Sequence, residues 1–162
     1  MTNPETPAIQ YLQDRKVPFS IFQHQRPVNS LEQAAEERKQ RPEQVVRSIV
    51  FRLAEGEFIM VLMPGPGQVP WKALRRYLSQ SRISMATLEE LLQATGYRPG
   101  TVNPFGLPQP MRVLIDQGVL DQPIVSMGSG RSGLAILIKP DDMLMALDQV
   151  EVVNFSSQSD AE

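Results

Sequence analysis

Hydrophobic and polar residues follow two periods along the chain, and the change between them divides it into short elements. Apolar residues spaced three and four apart indicate helices, whereas alternation or short β-branched runs indicate strands. The first pattern predicts helices over residues 7–16, 31–40, 71–78, 87–96 and 140–147. The second predicts strands over residues 19–24, 44–53, 57–63, 81–86, 111–116, 123–127, 134–138 and 150–155.

Two of the predicted helices carry recognisable start signals. Ser30 with Gln33, and Thr87 with Glu90, match the capping box, in which two side chains satisfy unpaired N–H groups of the first helical turn. Gly96 follows the second of these helices, at a position where glycine commonly ends a helix.

The order of the elements predicts the fold class. The strands 44–53 and 57–63 are separated by a short loop with a glycine, which predicts a hairpin. Elsewhere, helices and strands intermix without a strict βαβα order. We therefore expect an α/β fold with a mixed, largely antiparallel, curved sheet and helices packed outside it.

Length and composition narrow the class of protein. The 162 residues suggest one domain over residues 1–154 and a disordered tail over residues 155–162. The chain lacks both a signal-peptide pattern and an apolar run near the ~20 residues of a membrane span, so we expect a cytoplasmic protein. It has no cysteine, which excludes disulfides and thiol nucleophiles. The net charge of −2 implies that any RNA contact comes from a local patch.

The stretch GSGRSG, residues 128–133, matches the spacing of a dinucleotide-binding loop. Such a loop needs a helix directly after it, but the short run that follows ends at Pro140 and is typical of a strand. Two interpretations remain, a hairpin turn or a nest of backbone N–H groups that holds an anion or a carbonyl oxygen. Ser129 and Arg131 are the side chains that would add contacts.

Arg47 is a cation within a predicted strand. Alternate residues of a strand share a face, which places Arg47 with Val45, Ile49 and Phe51. A cation among apolar neighbours needs partners and often marks a ligand site. The alternative is that Arg47 lies near the start of the strand and reaches solvent.

The other candidate side chains have plainer alternatives. Asp116, at a strand end, either orients a loop or binds an amine, or is a turn residue. His24 is the single histidine and is expected in a turn or at the surface, which argues against a catalytic triad and a two-histidine zinc site. Lys72, Arg75 and Arg76 share one helical face, either to contact phosphates or as a solvated basic face.

The segment GYRPGTVNPFG, residues 96–106, has three glycines and two prolines and suits neither a helix interior nor a strand. With PEQVVRSIVFR and MPGPGQVPWKALRRYL before it, and RVLID and IVSMGSGRSGLAILIKPDDML after it, it resembles the YbaK/prolyl-tRNA synthetase-associated domain family. The resemblance covers roughly residues 8–150. It implies an α/β fold with a mixed, barrel-like sheet.

The resemblance also implies an activity. Members of the family hydrolyse the ester of a mischarged aminoacyl-tRNA that carries a small amino acid, such as a prolyl tRNA charged with alanine. The tRNA's own ribose hydroxyl and a bound water supply much of the chemistry, without a cofactor, a metal or a covalent protein intermediate. The expected partners are an aminoacyl-tRNA and an aminoacyl-tRNA synthetase. The alternative is a weakened or inactive relative that binds aminoacyl-tRNA or a small ligand.

The resemblance assigns roles to particular residues of this chain. The expected catalytic residues are Arg47, Gly100, Ser129 and Gly130. The expected contacts to substrate are Thr101, Asn103, Pro104, Asp116 and Arg131, and those to tRNA are Lys72, Arg75 and Arg76. Arg47 stands where the family usually has lysine; it keeps the positive charge but cannot act as a base. Thr101 replaces the second of two glycines, which narrows the expected pocket.

Overall fold

The computed structural model describes residues 5–54 and 56–155, and most elements lie where the hydrophobic pattern predicts them. The helices are α1 (Pro7–Asp14), α2 (Leu31–Glu37), α3 (Trp71–Leu78), α4 (Leu88–Thr95), α5 (Gln117–Leu120) and α6 (Pro140–Ala146), with a 3-10 turn at Pro42–Gln44. The strands are β1 (Ser20–Gln23), β2 (Val46–Leu53), β3 (Phe58–Pro64), β4 (Ile83–Met85), β5 (Arg112–Asp116), β6 (Val125–Gly128), β7 (Leu134–Ile138) and β8 (Val150–Val153).

Both predicted helix starts are capped by the expected side chains. The Ser30 hydroxyl accepts the Gln33 N–H at 3.0 Å. The Gln33 amide oxygen, however, accepts the N–H of Asn29 instead of Ser30, so this box is shifted by one residue. At α4 the box is complete, because Thr87 accepts the Glu90 N–H at 3.2 Å and Glu90 accepts the Thr87 N–H at 2.9 Å.

The first two helices end earlier than the sequence predicts. Lys16 and Lys39 adopt a left-handed backbone, with φ of 57° and 58°, and a right-handed helix cannot continue through that conformation. The four-residue helix α5 was not predicted, because it is too short to show a helical period. Phe155, the first residue of the predicted tail, is buried in the core; the rest of that prediction, residues 156–162, lies outside the described residues.

The strands form two sheets. The smaller has the order β1-β7-β6 and is antiparallel throughout. The larger has the order β4-β2-β3-β5-β8, with antiparallel pairs around β2 and parallel pairs on both sides of β5. One isolated parallel bridge, between Val45 and Ser126, joins the two sheets. The predicted mixed α/β fold is therefore confirmed, but the strands within the described residues do not close into a barrel.

The larger sheet separates two hydrophobic clusters. The alternation of β3 places Met60 and Leu62 on one face and Ile59 and Val61 on the other. The inner cluster lies between the two sheets and is completed by α1 and α6. The outer cluster lies under α3 and includes Phe155. Both faces of the larger sheet thus carry buried apolar residues, and β2 borders the candidate site with its half-buried residues 47–49.

Candidate active site

A cavity of about 480 Å³ lies beside the first half of β2. It is bordered by α2 and the residues before it, by the residues that join β4 to α4, by Pro99, Gly100 and Val102, and by the end of β6. Its walls are mainly apolar, with Val46, Val50, Val102 and Met127 among them. A concave and largely apolar cavity with a few polar groups is typical of a small-molecule site.

The cavity exists because only part of β2 is paired with another strand along this edge. The short strand β4 pairs only with residues 51–53 of β2, and the Ala86 N–H extends the pairing to the Val50 carbonyl at 3.0 Å. At the other end of β2, Val45 meets Ser126 in the isolated bridge. The edge between these two contacts is left open to the cavity.

The two glycine-rich segments of the sequence meet at this cavity. A Cβ atom added to Gly128 would lie 2.6 Å from the carbonyl carbon of Thr101, so only glycine allows the two backbones to approach this closely. The Gly130 N–H donates to the Thr101 carbonyl at 3.0 Å. The segments lie more than twenty residues apart in the sequence, and this contact makes them one wall.

Gly100 presents bare backbone to the cavity. Its φ of +85° lies in the left-handed region that favours glycine, and nothing lies within 4 Å of the position that a Cβ would take. The following Thr101 N–H donates to the Arg98 carbonyl at 3.0 Å, whereas the Gly100 N–H has no hydrogen-bond partner among the described residues. This N–H is therefore open to a ligand or to water.

Arg47 lines the cavity, but its guanidinium is committed to a neighbouring loop. Nε donates to the Gly65 carbonyl at 2.7 Å, and Nη2 donates to the Gly67 carbonyl. Partial burial lowers the pKa of Arg47. The side chain thus joins the wall of the cavity to the loop between β3 and α3. The sequence suggested either a ligand or solvent as the partner of Arg47, and in the structure its partners are backbone carbonyls.

Ser48, the next residue of β2, also lines the cavity. Its hydroxyl oxygen is fully enclosed and makes no hydrogen bond with the residues that the structure describes. A buried hydroxyl without a partner is costly, and in natural proteins such groups often await a ligand or a water molecule.

A second arginine, Arg38 at the end of α2, borders the other side of the cavity. Its Nε donates to His24 Nε2 at 3.0 Å, and its Nη1 donates to the Ser126 hydroxyl at 2.9 Å. Ser126 in turn donates to the Gln40 amide oxygen at 2.6 Å. Burial lowers the pKa of Arg38 to about 10, so the guanidinium remains charged at neutral pH.

His24 is buried, and the prediction of a turn or surface histidine is wrong. Because Nε2 accepts a hydrogen bond from Arg38, the ring proton lies on Nδ1, which donates to the Glu37 carboxylate at 2.6 Å. Hydrogen bonds from the side chains of Gln33 and His24 lower the pKa of Glu37. A chain of polar contacts, Glu37–His24–Arg38–Ser126, therefore runs behind the cavity.

Two predicted substrate contacts, Thr101 and Asn103, and the predicted catalytic residue Ser129 instead shape the glycine-rich wall. Asn103 is fully buried, donates to the Thr101 carbonyl and accepts the Phe105 N–H. The Thr101 hydroxyl donates to the Arg98 carbonyl. The Ser129 hydroxyl donates to the Leu134 carbonyl at 2.7 Å and is also buried. These side chains hold the loops in place and are not among the described residues that line the cavity.

The remaining predicted residues lie away from it. Asp116 accepts the Gly118 N–H at 2.9 Å and caps α5, which agrees with the turn interpretation. Pro104 borders a different cavity, next to Tyr11. Gly130 packs against the Tyr97 ring behind the wall, Arg131 is exposed, and the three basic residues of α3 lie on that helix. None of these residues is among the described residues that line the cavity; the three on α3 are Lys72, Arg75 and Arg76.

A family model described as the aminoacyl-tRNA editing domain matches residues 25–146, which include the whole cavity. The chain therefore belongs to the aminoacyl-tRNA editing domain family. The resemblance found in the sequence is confirmed. Among the described residues of this editing domain, no helix is long and apolar enough to cross a membrane, and no three potential metal ligands cluster.

The editing domain is similar in sequence to part of several ligases. The proline–tRNA ligase of Kosmotoga olearia is 33% identical over 89 residues, which are 55% of this chain and 15% of the ligase. That of Trichlorobacter lovleyi is 35% identical over 74 residues, which are 46% of this chain and 13% of the ligase. The alignments thus span about one seventh of the length of these ligases.

Two solved structures share its fold. One, a hypothetical protein, superposes with a TM-score of 0.82 at 20% identity and covers 91% of this chain and 97% of its own. The other is described as a proposed trans-editing enzyme for prolyl tRNA synthetase; it has a TM-score of 0.79 at 22% identity, covering 93% of this chain and 98% of its own. At these identities the similarity establishes the fold.

Sequence reasoning missed two polar residues of this editing domain's cavity. Arg38 lies on a helix rich in charged residues, where the pattern predicts a solvated side chain. Ser48 is a small polar residue in an apolar strand, and in the structure its enclosed hydroxyl without a hydrogen bond sets it apart from other serines. The alternation of β2 offered a signal for Ser48, since it follows Val46 and precedes Val50 on a buried face.

Proposed function

We propose that this editing domain hydrolyses the ester of a mischarged aminoacyl-tRNA that carries a small amino acid. Water attacks the ester carbonyl carbon, the bond to the ribose oxygen breaks, and free amino acid and uncharged tRNA are released. The aminoacyl end would enter the cavity beside β2, with the tRNA's ribose hydroxyl and a water molecule as the reacting groups.

The observation that carries the proposal is the backbone wall of the cavity. Gly100 and Gly128 both line it, and the Gly100 N–H has no protein partner among the described residues. An N–H group held in place before the reaction is suited to stabilise the negative charge that develops on an ester oxygen. Such a site needs no nucleophilic side chain.

The cavity volume sets a limit on the substrate. About 480 Å³ suits a ligand of moderate size, such as a terminal nucleoside with a short acyl group. The apolar lining by valine and methionine favours a small side chain at the acyl position. Discrimination by pocket size alone is modest, on the order of 10–200-fold for each methylene group. We therefore expect the domain to act on more than one amino acid.

The proposal is tested by incubating the protein with tRNAs that carry alanine, cysteine, serine, threonine or proline, and following loss of the ester. At least one small amino acid should be released faster than in buffer. Arg41→Ala, an exposed arginine outside the cavity, is the matched control and should keep the rate. A protein that accelerates none of these reactions would overturn the proposal.

A second candidate function is a binding module without hydrolysis, and the position of Arg47 favours it. The family usually has a lysine here, whereas this arginine is bound to the carbonyls of Gly65 and Gly67. Arg47→Lys separates the two functions. If the change creates hydrolysis in an inactive protein, the natural chain is a binder; if it abolishes existing hydrolysis, arginine is part of an adapted active site.

A further inference from the structure

Arg38 has a guanidinium nitrogen beside the cavity that no described residue binds. Its Nε and Nη1 are held by His24 and Ser126, which leaves Nη2 without a hydrogen bond among the described residues. Nη2 is not one of the fully enclosed unpaired atoms, and Arg38 lines the cavity. At Arg47 the bonded nitrogens Nε and Nη2 donate to backbone carbonyls of the loop between β3 and α3, whereas both partners of Arg38 are side chains.

The position of Arg38 is set before any ligand binds. His24 is itself held by Glu37, and Ser126 lies in β6 between its neighbour β7 and the bridge to Val45. A guanidinium that is fixed by two partners loses little side-chain entropy when it binds a third group. This is the arrangement of a recognition site rather than of a solvated surface charge.

The charge of the cavity indicates what Arg38 recognises. Arg38 and Arg47 both line it, and no aspartate or glutamate is among the described residues of the lining. The nearest acid in the network, Glu37, is turned toward His24. Arginine in a partly desolvated site binds carboxylate or phosphate oxygens more strongly than neutral acceptors.

We infer that Arg38 is a specificity-determining residue that binds an anionic oxygen of the ligand through Nη2. The inference rests on the proposed function, because it concerns the same cavity. The shared chemistry, a carboxylate or phosphate oxygen, has two sources in an aminoacyl-tRNA. It belongs either to the phosphate of the terminal nucleotide or to an acidic amino-acid side chain.

The test uses non-hydrolysable 3′-amide analogues of aminoacyl-adenosine. Four analogues combine an alanyl or aspartyl group with the presence or absence of a 5′-phosphate, and calorimetry measures their affinity for the full chain. We expect at least one anionic analogue to bind about 10–100-fold more tightly than neutral alanyl-adenosine, as for a hydrogen bond to a charged group. Preference for the phosphate or for the aspartyl group identifies the source.

Substitutions assign that preference to Arg38. Arg38→Gln should remove the anion preference and leave affinity for the neutral analogue nearly unchanged, whereas Arg38→Lys should retain part of it. Arg41→Gln, an exposed arginine bonded to Gln122, is the matched control. Circular dichroism and thermal unfolding verify that each variant is folded.

The outcomes separate this inference from the proposed function. Equal affinity of the natural chain for all four analogues, or an Arg38→Gln variant that keeps the anion preference, would overturn the role of Arg38 while the cavity still binds its substrate. Failure of the natural chain to bind any analogue would overturn both.

Discussion

The two sides of the cavity each carry an arginine, and the comparison shows how partners decide what a charged side chain does. Arg47, on β2, donates to two backbone carbonyls of the loop between β3 and α3. Arg38, at the end of α2, donates to a histidine and a serine. Burial lowers the pKa of both groups, and each keeps one guanidinium nitrogen without a hydrogen bond among the described residues.

The difference originates in the kind of acceptor. Carbonyls of an adjacent loop fix Arg47 as a link between a strand and that loop, so its charge supports the wall. Side-chain partners hold Nε and Nη1 of Arg38, a residue that lines the cavity. The residue that the family resemblance singled out thus links a strand to a loop, whereas Arg38 belongs to a network of side chains and is our candidate for recognition.

Removal of Arg38 should have the largest effect on stability. In Arg38→Ala, the buried His24 nitrogen and the Ser126 hydroxyl lose their donor, so we expect the free energy of unfolding to fall by about 1–3 kcal/mol. Urea unfolding at pH 7 measures it, with Arg41→Ala as control. Equal stability of the two variants would mean that the polar network behind the cavity contributes little.

Removal of Arg47 should have a smaller and more local effect. The Gly67 carbonyl lies at an exposed residue and can bind water instead, so we expect Arg47→Ala to lower the free energy of unfolding by about 1 kcal/mol. Hydrogen exchange should become faster in residues 64–70, and it should not do so in Arg38→Ala. Faster exchange in both variants would contradict the separation of the two sides.

The pH dependence of stability tests the polar network that holds Arg38, because Glu37 belongs to it. Hydrogen bonds lower the pKa of Glu37 below its usual 4.5, so its carboxylate stabilises the fold above that value and the contribution is lost as the pH falls through the lowered pKa. Glu37→Gln should therefore melt below the natural chain at pH 7, and the difference should shrink as the pH falls below 4.5. Thermal unfolding at several pH values tests this; a difference that grows in acid would refute it.

The smallest change in stability is expected at Ser48. Its hydroxyl has no hydrogen-bond partner among the described residues, so Ser48→Ala should leave the free energy of unfolding within about 0.5 kcal/mol or raise it slightly. Denaturant unfolding measures the effect. A loss above about 1 kcal/mol would indicate that the hydroxyl is bonded in the free protein, by a water molecule for example.

Much of the fold could be predicted because its signals are local. The Thr87 and Glu90 side chains that form the capping box lie within one helical turn, and the box forms as predicted. The predicted hairpin of β2 and β3 forms with a continuous antiparallel register from Val46 to Arg52. The helix ends near Lys16 and Lys39 could not be predicted, since a left-handed conformation at a lysine has no local sequence signal.

The candidate site was predicted only in part. A residue that lines the cavity and a residue that holds a loop in place can be of the same type, so the sequence does not separate them. Gly100 lines the cavity as the family resemblance implies, whereas Ser129 and Asn103 use their polar atoms to hold their own loops. Side-chain hydrogen bonds to nearby backbone are common for serine and asparagine in loops. Nothing in the type of residue distinguishes such a bond from a contact to substrate.

By itself, the sequence determined the helices, the strands, the rigid glycine–proline segment and the membership of the editing domain family, since each depends on local periodicity or on the order of motifs. The tertiary structure alone decided which polar groups meet at the cavity. Gly128 packs against Thr101, Arg47 bonds to Gly65, and Arg38 bonds to His24. Those pairings join elements distant in the chain, and the direction of a guanidinium depends on which acceptors the folded backbone places beside it.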